Sequence, residues 1–380
     1  MVYFDNAATS WPKPQKVIQA TNEAFSSYGA NPGRSGHSMS INTAVKVFEA
    51  RESIASFFGA ARAEDVIFTP NCTHAVNIAI KGILNRGDHV ILSDLEHNAT
   101  LRPIHTLAER GEIAYSIAEI HPDNEMTVNA YQRLITANTK LIICTHGSNV
   151  WGMRTPIEKI GELAKKNGTY FLVDAAQTAG IVTIDIQKAN IDFLCTAGHK
   201  SLYGPTGTGL LITPHGNQLN TIVEGGTGTL SMEYSQPQGM PERLESGTAN
   251  TLGILGLGAG IKFLREAGID NIYRHEIQIA GEIFQRLCDI PNVKLYNRNF
   301  EVGENLPVIS FNVEGVSSEK LTQTLSEKGF ALRGGLHCAP LAHKKMGTLK
   351  TGTARISIGV FNKMREARSL CNEIAAIAHI

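Results

Sequence analysis

"TYFLVDAAQTAG", residues 169–180, is a run rich in β-prone apolar side chains that ends on a carboxylate and then breaks into small residues. Tyr, Phe, Leu and Val in unbroken succession predict a strand buried on both faces, because a half-exposed strand would alternate. Asp174 closes that run, where an unpaired carboxylate is costly. Outward from it the same kind of run recurs: "DVIFT" (65–69), "HVILS" (89–93), "KLIICT" (140–145), "DFLCTA" (192–197) and "GTGLLIT" (207–213). Amphipathic segments lie between several of them. In "PIEKIGELAKKNG", Ile157, Ile160 and Leu163 share one helical stripe, and a glycine suited to a C-cap follows. Buried strands alternating with helices predict an α/β fold with a mostly parallel sheet covered on both faces. From about residue 254 the pattern changes. A long helix ("ILGLGAGIKFLREAG") leads into "LPVISFNVEG", "ARISIGVFN" and a final helix, which predicts a smaller α+β unit joined by the first dozen or so residues.

Bulk composition narrows the function. The 380 residues are 42% hydrophobic, enough for a large core and a smaller one, and carry 35 basic and 35 acidic groups. That balance offers no basic field for nucleic acid and no polybasic membrane anchor. No apolar run approaches the roughly 20 residues of a membrane span, and the amino terminus lacks the shape of a signal peptide. Cys72, Cys144, Cys195, Cys288, Cys338 and Cys371 are scattered, with no CxxC pair and no finger-like His/Cys spacing. The expectation is a cytoplasmic enzyme without a metal site.

In parallel α/β sheets ligands bind beyond the carboxyl ends of the strands. Here those ends run into "PNCTHAVNIAI", "DLEHNA", "HGSNVWG", "DAAQTAG" and "GHKSLYGPTGTG". Five ends delivering polar or titratable groups to one rim predict a site. Lys200 fits either a solvated loop lysine or a Schiff-base lysine made nucleophilic by desolvation and cationic neighbours. Asp174 fits the carboxylate that keeps the ring nitrogen of pyridoxal phosphate protonated. His97 suits stacking on such a ring or a structural loop position. Asn149 and Gln177 suit a phenolic oxygen or a turn cap. Cys72 and Thr73 open a helix, which suits a phosphate or an ordinary N-cap. In "ALRGGLHCAP" (331–340), Cys338 follows a histidine on a glycine-softened turn behind an arginine. Those neighbours suit a reachable thiolate, with His337 and Arg333 able to bias its ionisation either way.

The chain resembles the fold-type I pyridoxal-phosphate enzymes of the class V aminotransferase superfamily, and most of all group II cysteine desulfurases and selenocysteine lyases. The likeness rests on "YFDNAATS", "NCTHAVN", "EHNA", "SNVWG", "VDAAQTAG", "AGHKSLYGPTGTG", "ESGTANT", "RGGLHCAP" and "ARISIGVFN", in the family's order from residue 3 to 362. It implies a large domain over 15–253 with a mostly parallel seven-stranded sheet, and a small α+β domain from 1–14 and 254–380. It implies that Lys200 carries pyridoxal 5'-phosphate, that Asp174 meets the pyridine nitrogen, and that Gln177 and Asn149 hold the ring oxygen. His97 would stack and help move protons. Cys72, Thr73 and His199 would sit at the phosphate, and Thr248 would reach the phosphate of a neighbouring subunit, so a homodimer with shared sites is implied. Arg355 matches the clamp on a substrate α-carboxylate, with Asn149 beside it. Arg333 matches a second arginine there, and a surface ion pair would explain it as well. Cys338 would take sulfur from cysteine as a persulfide, releasing alanine, and a sulfur-acceptor protein could follow. Selenocysteine lyase, aminotransferase and β-lyase chemistry on the same scaffold remain alternatives. Ala197 stands where the family commonly has a phosphate-binding serine, Cys72 replaces a common threonine, and Leu336 a common histidine.

Overall fold

The computed structural model describes residues 1–378 apart from 34, 297–299 and 301. The chain opens with β1 (Val2–Tyr3) and then builds one sheet from seven strands. These are β2 (Val66–Thr69), β3 (His89–Ser93), β4 (Ala114–Ala118), β5 (Thr139–Thr145), β6 (Tyr170–Asp174), β7 (Phe193–Ala197) and β8 (Gly209–Ile212), in the order β2-β8-β7-β6-β5-β3-β4. Neighbours from β7 to β4 pair parallel, and only β8 runs against both of its partners. The expected α/β architecture is therefore present.

The unbroken apolar runs have a simple cause. Successive residues point to opposite faces, and both faces are dry. Ile91, Ile142, Val173, Leu194 and Leu210 pack into one core with Ile157, Ile160 and Leu163. Val90, Ile143, Leu172, Phe193 and Leu211 pack into the other, under the helix Cys72–Ile83. Six of the seven strands match runs read from sequence. The seventh, β4, is an edge strand in which only Ala118 is buried, so its residues carry no clear apolar signal.

A second sheet, antiparallel throughout, joins β9 (Val293–Leu295), β10 (Val308–Val313), β12 (Arg333–Gly335) and β13 (Thr353–Ser357) in the order β12-β13-β10-β9. The strand β11 (Phe330–Ala331) pairs parallel with β1, and Phe4 lies in the same core as Phe311, Leu321, Ile356 and Leu370. The helix Thr251–Ala267 sends Leu257, Ile261 and Leu264 into the core of the large sheet. Among the described residues no helix is long and apolar enough to cross a membrane.

Candidate active site

Beyond the carboxyl ends of β5, β6 and β7 lies a cavity of about 180 Å³. Cys72, Thr73, His97, Asn149, Asp174, Gln177, His199 and Lys200 all line it. The helices Cys72–Ile83 and Asn98–Glu109 both start at its wall; the first N–H groups of the second are taken by the Cys338 and His97 carbonyls and the His97 ring, so the start of Cys72–Ile83 is the end suited to an anion.

Asp174 is the last residue of β6 and is 4% exposed. Its Oδ1 accepts from the backbone N–H of Ala176 at 2.9 Å and from the Cys72 thiol at 3.6 Å. The other carboxylate oxygen has no protein hydrogen-bond partner among the described residues, which leaves it to a cavity ligand. Burial, with the Asp174 carboxylate adding to it, pushes the Cys72 thiol well above its ordinary range. Cys72 is thus a protonated donor, and the acidifying pull of a helix start does not prevail. Burial also pushes the Lys200 ammonium down, opposed by Asp174 and reinforced by Arg355 and Arg333. A lysine so placed gives up its proton more readily and is the better nucleophile.

His97 reaches the cavity with its tautomer set. The Ala99 backbone N–H donates to Nδ1 at 3.0 Å, so the neutral ring carries its proton on Nε2. Burial holds this imidazole below its ordinary pKa. Glu96, fully buried beside it, accepts from the Ser93 hydroxyl and the Thr145 N–H, each at 2.6 Å. That ties the end of β3 to the end of β5 and fixes the turn that bears His97. Gln177 donates from Nε2 to the Ala7 carbonyl at 3.0 Å, leaving one amide hydrogen for the cavity. The His199 ring lies 3.1 Å from the Thr9 hydroxyl through Nδ1, and Lys13 donates to the His199 carbonyl at 2.6 Å. Burial, with Lys200 and Lys13, pushes His199 down to about 4.

Cys338, Arg333, Arg355 and Thr248 do not line this cavity. Cys338 is exposed and sits at its edge: its carbonyl accepts from the Asn98 N–H at 2.8 Å, one residue past His97. The Asn149 side chain donates to the neighbouring His337 carbonyl at 2.8 Å. His337 and Cys338 both take positive φ, 48° and 58°, a strained conformation for residues with a Cβ. The His337 Nε2–H donates to the Thr353 carbonyl at 3.0 Å, and burial, with Arg355 and His343, pushes the ring down to about 2. It is therefore neutral, and supplies no positive charge to the adjacent thiol.

Arg355 on β13 is 1% exposed. Its Nη2 pairs with Asp5 at 2.7 Å and its Nη1 donates to the Asn149 carbonyl at 3.1 Å, while Nε has no partner among the described residues. Arg333 stands directly opposite it on β12 and is exposed. Thr248 is on an exposed loop past Glu245, which is anchored by a two-pronged pairing with Arg51 at 2.7 and 2.8 Å. Sequence reasoning did not single out Asp5, Thr9, Lys13, Glu96 or Asn98. Four of them lie inside the quoted stretches "YFDNAATS" and "EHNA", which was the available signal.

The aminotransferase class-V family matches residues 2–370. A probable cysteine desulfurase of Methanothermobacter thermautotrophicus is 31% identical over 99% of this chain and 94% of its own length. One from Borreliella burgdorferi is 32% identical over 96% of this chain and 89% of its own. Among solved structures, the apo cysteine desulfurase of Thermococcus onnurineus superposes with a TM-score of 0.92 at 30% identity, covering 100% of this chain and 94% of that one. The cysteine desulfurase CsdA (S-sulfonic acid) of Escherichia coli gives 0.87 at 28% identity, covering 99% and 94%.

Proposed function

The chain belongs to the class-V aminotransferase family, and from that membership and the site's geometry we propose that it is a pyridoxal-phosphate-dependent cysteine desulfurase. It turns L-cysteine into L-alanine and takes the sulfur onto Cys338. The observation that carries this reading is that Lys200 and Asp174 share one cavity whose edge is hydrogen-bonded to the backbone of Cys338.

The donor set fits the cofactor. It contains an amine whose ammonium form is disfavoured, a buried carboxylate with one oxygen unengaged, and a helix start carrying the Thr73 hydroxyl. The chemistry supplied by bound pyridoxal phosphate is covalent capture of an amine and withdrawal of electrons from the amino acid's α-carbon. Lys200 would hold the cofactor through its amine and, once freed, would be the base that moves the α-proton. The free oxygen of Asp174 would keep a proton on the ring nitrogen. Gln177 and Asn149, each with one amide hydrogen not given to the protein, would hold the ring oxygen, and His97 with its Nε2–H would serve the ring and its protons. The amides at Cys72 and Thr73, with the Thr73 hydroxyl and His199, would hold the phosphate. Arg355 and Arg333 hold the substrate carboxylate. The Cys338 thiolate then attacks the substrate sulfur: an S–S bond forms, the C–S bond breaks, and its electron pair returns to Cβ, which takes a proton to give alanine.

The protein works as a homodimer in this reading. Met39, Ile41, Val45 and Phe48 of the helix Ser38–Phe58 are exposed, as are Leu230, Met232 and Tyr234. Exposed apolar side chains in such number mark an interaction surface. Thr248 follows the second group in sequence and would reach the partner's phosphate. A cytoplasmic location, a sulfur-acceptor protein and a division near residues 253/254 belong to the same proposal. The test is turnover of L-cysteine followed by mass spectrometry of the protein. Alanine with one added sulfur on the Cys338 peptide, absent in Cys338→Ala, is expected. No alanine from L-cysteine or L-selenocysteine would overturn the reading, and sulfur on another cysteine would overturn the role of Cys338.

A further inference from the structure

The turn bearing His97 and the short helix Pro340–Lys345, which begins two residues after Cys338, meet along one seam. One fastener on that seam is the Asn98 N–H to Cys338 carbonyl bond at 2.8 Å. The other is an ion pair: Lys345 Nζ, at the far end of the helix, lies 2.6 Å from Asp94 Oδ2, just past the end of β3. Neither side chain is more than 16% exposed. The second oxygen of Asp94 accepts from the Ile120 N–H at 3.1 Å, so the carboxylate is held at both ends. Lys345 Nζ is also 3.6 Å from Glu119 and 6.0 Å from the centre of the Trp151 ring. An exposed pair would contribute little, but one this sheltered and doubly anchored has a defined geometry and is screened far less by solvent.

We propose that the Asp94–Lys345 ion pair positions the Cys338 thiol against the cavity, acting on the reaction without touching substrate or cofactor. The reason is mechanical. His337 and Cys338 are both in strained left-handed conformations, and such residues hold that form only where the surroundings impose it. Asn149 and Thr353 fix the His337 side of the turn, and Asn98 fixes the Cys338 carbonyl. Without the ion pair the helix after Cys338 keeps the Asn98 hydrogen bond and the apolar packing of Ala339 and Ala342 in the core that holds Leu95, and loses the charged fastener at its Lys345 end. The consequence for turnover rests on the desulfurase reading, whereas the consequence for the seam does not.

The test uses the cofactor-loaded protein and three variants. Lys345→Gln and Asp94→Asn each remove the charge pairing, the latter keeping an oxygen for Ile120, and Lys345→Arg retains it. Hydrogen exchange at the Asn98 amide should quicken about tenfold or more in the first two, with amides of Tyr170–Asp174 unchanged. In the same variants kcat for L-cysteine should drop about fivefold to tenfold with KM within about twofold, and Lys345→Arg should restore both readouts. Unchanged Asn98 exchange, exchange that rises equally in the central strand, or faster exchange with full turnover would each overturn the proposal. Faster Asn98 exchange in protein whose unaltered form makes no alanine would uphold the seam and reject the desulfurase reading instead.

Discussion

At Arg355 a proposed substrate role meets an observed structural one. The sequence reading assigns it a substrate carboxylate, and the structure adds a part-buried pairing with Asp5, 350 positions away. Burial pushes even this guanidinium down, with Asp5 pulling it back up. Truncation to alanine therefore leaves the part-buried Asp5 carboxylate without its partner, which destabilises by about 3 kcal/mol before any effect on substrate is felt. Arg355→Lys separates the duties. The charge beside Asp5 survives while the forked donor geometry is lost, so KM for L-cysteine should rise about tenfold and unfolding free energy fall by no more than about 2 kcal/mol. An unchanged KM in a folded Arg355→Lys protein would remove the carboxylate role. At this scale the sequence was legible where chemistry is local: Lys200, Asp174, His97 and Cys338 stand out by their neighbours. It was illegible where a side chain's partner is remote, as for Asp5, Lys13 and the Asp94–Lys345 pair, because spacing along the chain says nothing about closure across it.

Among the elements, β12 is a short strand that leads into the turn bearing Cys338. Its three residues, Arg333, Gly334 and Gly335, pair antiparallel with Thr353–Arg355 and set Arg333 opposite Arg355. The two glycines were expected to relax the backbone, and each does something different. Gly335 takes φ +106°, a conformation other residues rarely adopt. Gly334 is required by closeness: a Cβ there would stand 2.6 Å from the Ser318 carbonyl oxygen and 2.8 Å from its carbon, both backbone atoms. Gly334→Ala must therefore push β12 off the helix Ser318–Glu327, costing about 2 kcal/mol in denaturant unfolding. Because Cys338 lies three residues beyond β12, sulfur uptake should fall as well. Native stability in Gly334→Ala would show that this contact yields easily. Long apolar strands were readable from sequence since both faces are buried. Short strands such as β12 and the edge strand β4 were not, because pairing partners and close contacts define them rather than an apolar pattern.

For the molecule as a whole, the buried acids and bases set how stability depends on pH. Burial pushes Glu276 up to about 8, with the Tyr203 hydroxyl pulling it back, and Glu96 up to about 7. Burial pushes His146 down to about 3, His199 to about 4 and His337 to about 2. Between pH 4.5 and 6.5 the unfolded chain holds protons on three histidines that the folded chain lacks, and lacks protons on two glutamates that the folded chain holds. Burial also lowers His74, His89, His97 and His343 and raises Asp94, so lowered histidines outnumber raised carboxyls, the unfolded state binds more protons, and stability climbs with pH across this window. Above 6.5 the histidines no longer differ between states, and the glutamates alone act. A raised carboxyl pKa gives stability that is full below the unfolded value and is lost as pH rises, through about 7 for Glu96 and about 8 for Glu276. The maximum should fall near pH 6.5. Glu276 offers the clean test, since it lies on the helix Ile269–Cys288, faces Tyr203 of the loop following Lys200, and is absent from the cavity lining. Glu276→Gln keeps an acceptor for Tyr203 and cannot ionise. Its stability relative to the unaltered protein should grow as pH rises from 5 to 8, approaching about 1.4 kcal/mol for each unit of the folded-state shift. A difference that stays flat across that range would mean the Glu276 carboxyl ionises in the folded protein as readily as in the unfolded chain, and that the loop after Lys200 is not held by a neutral acid.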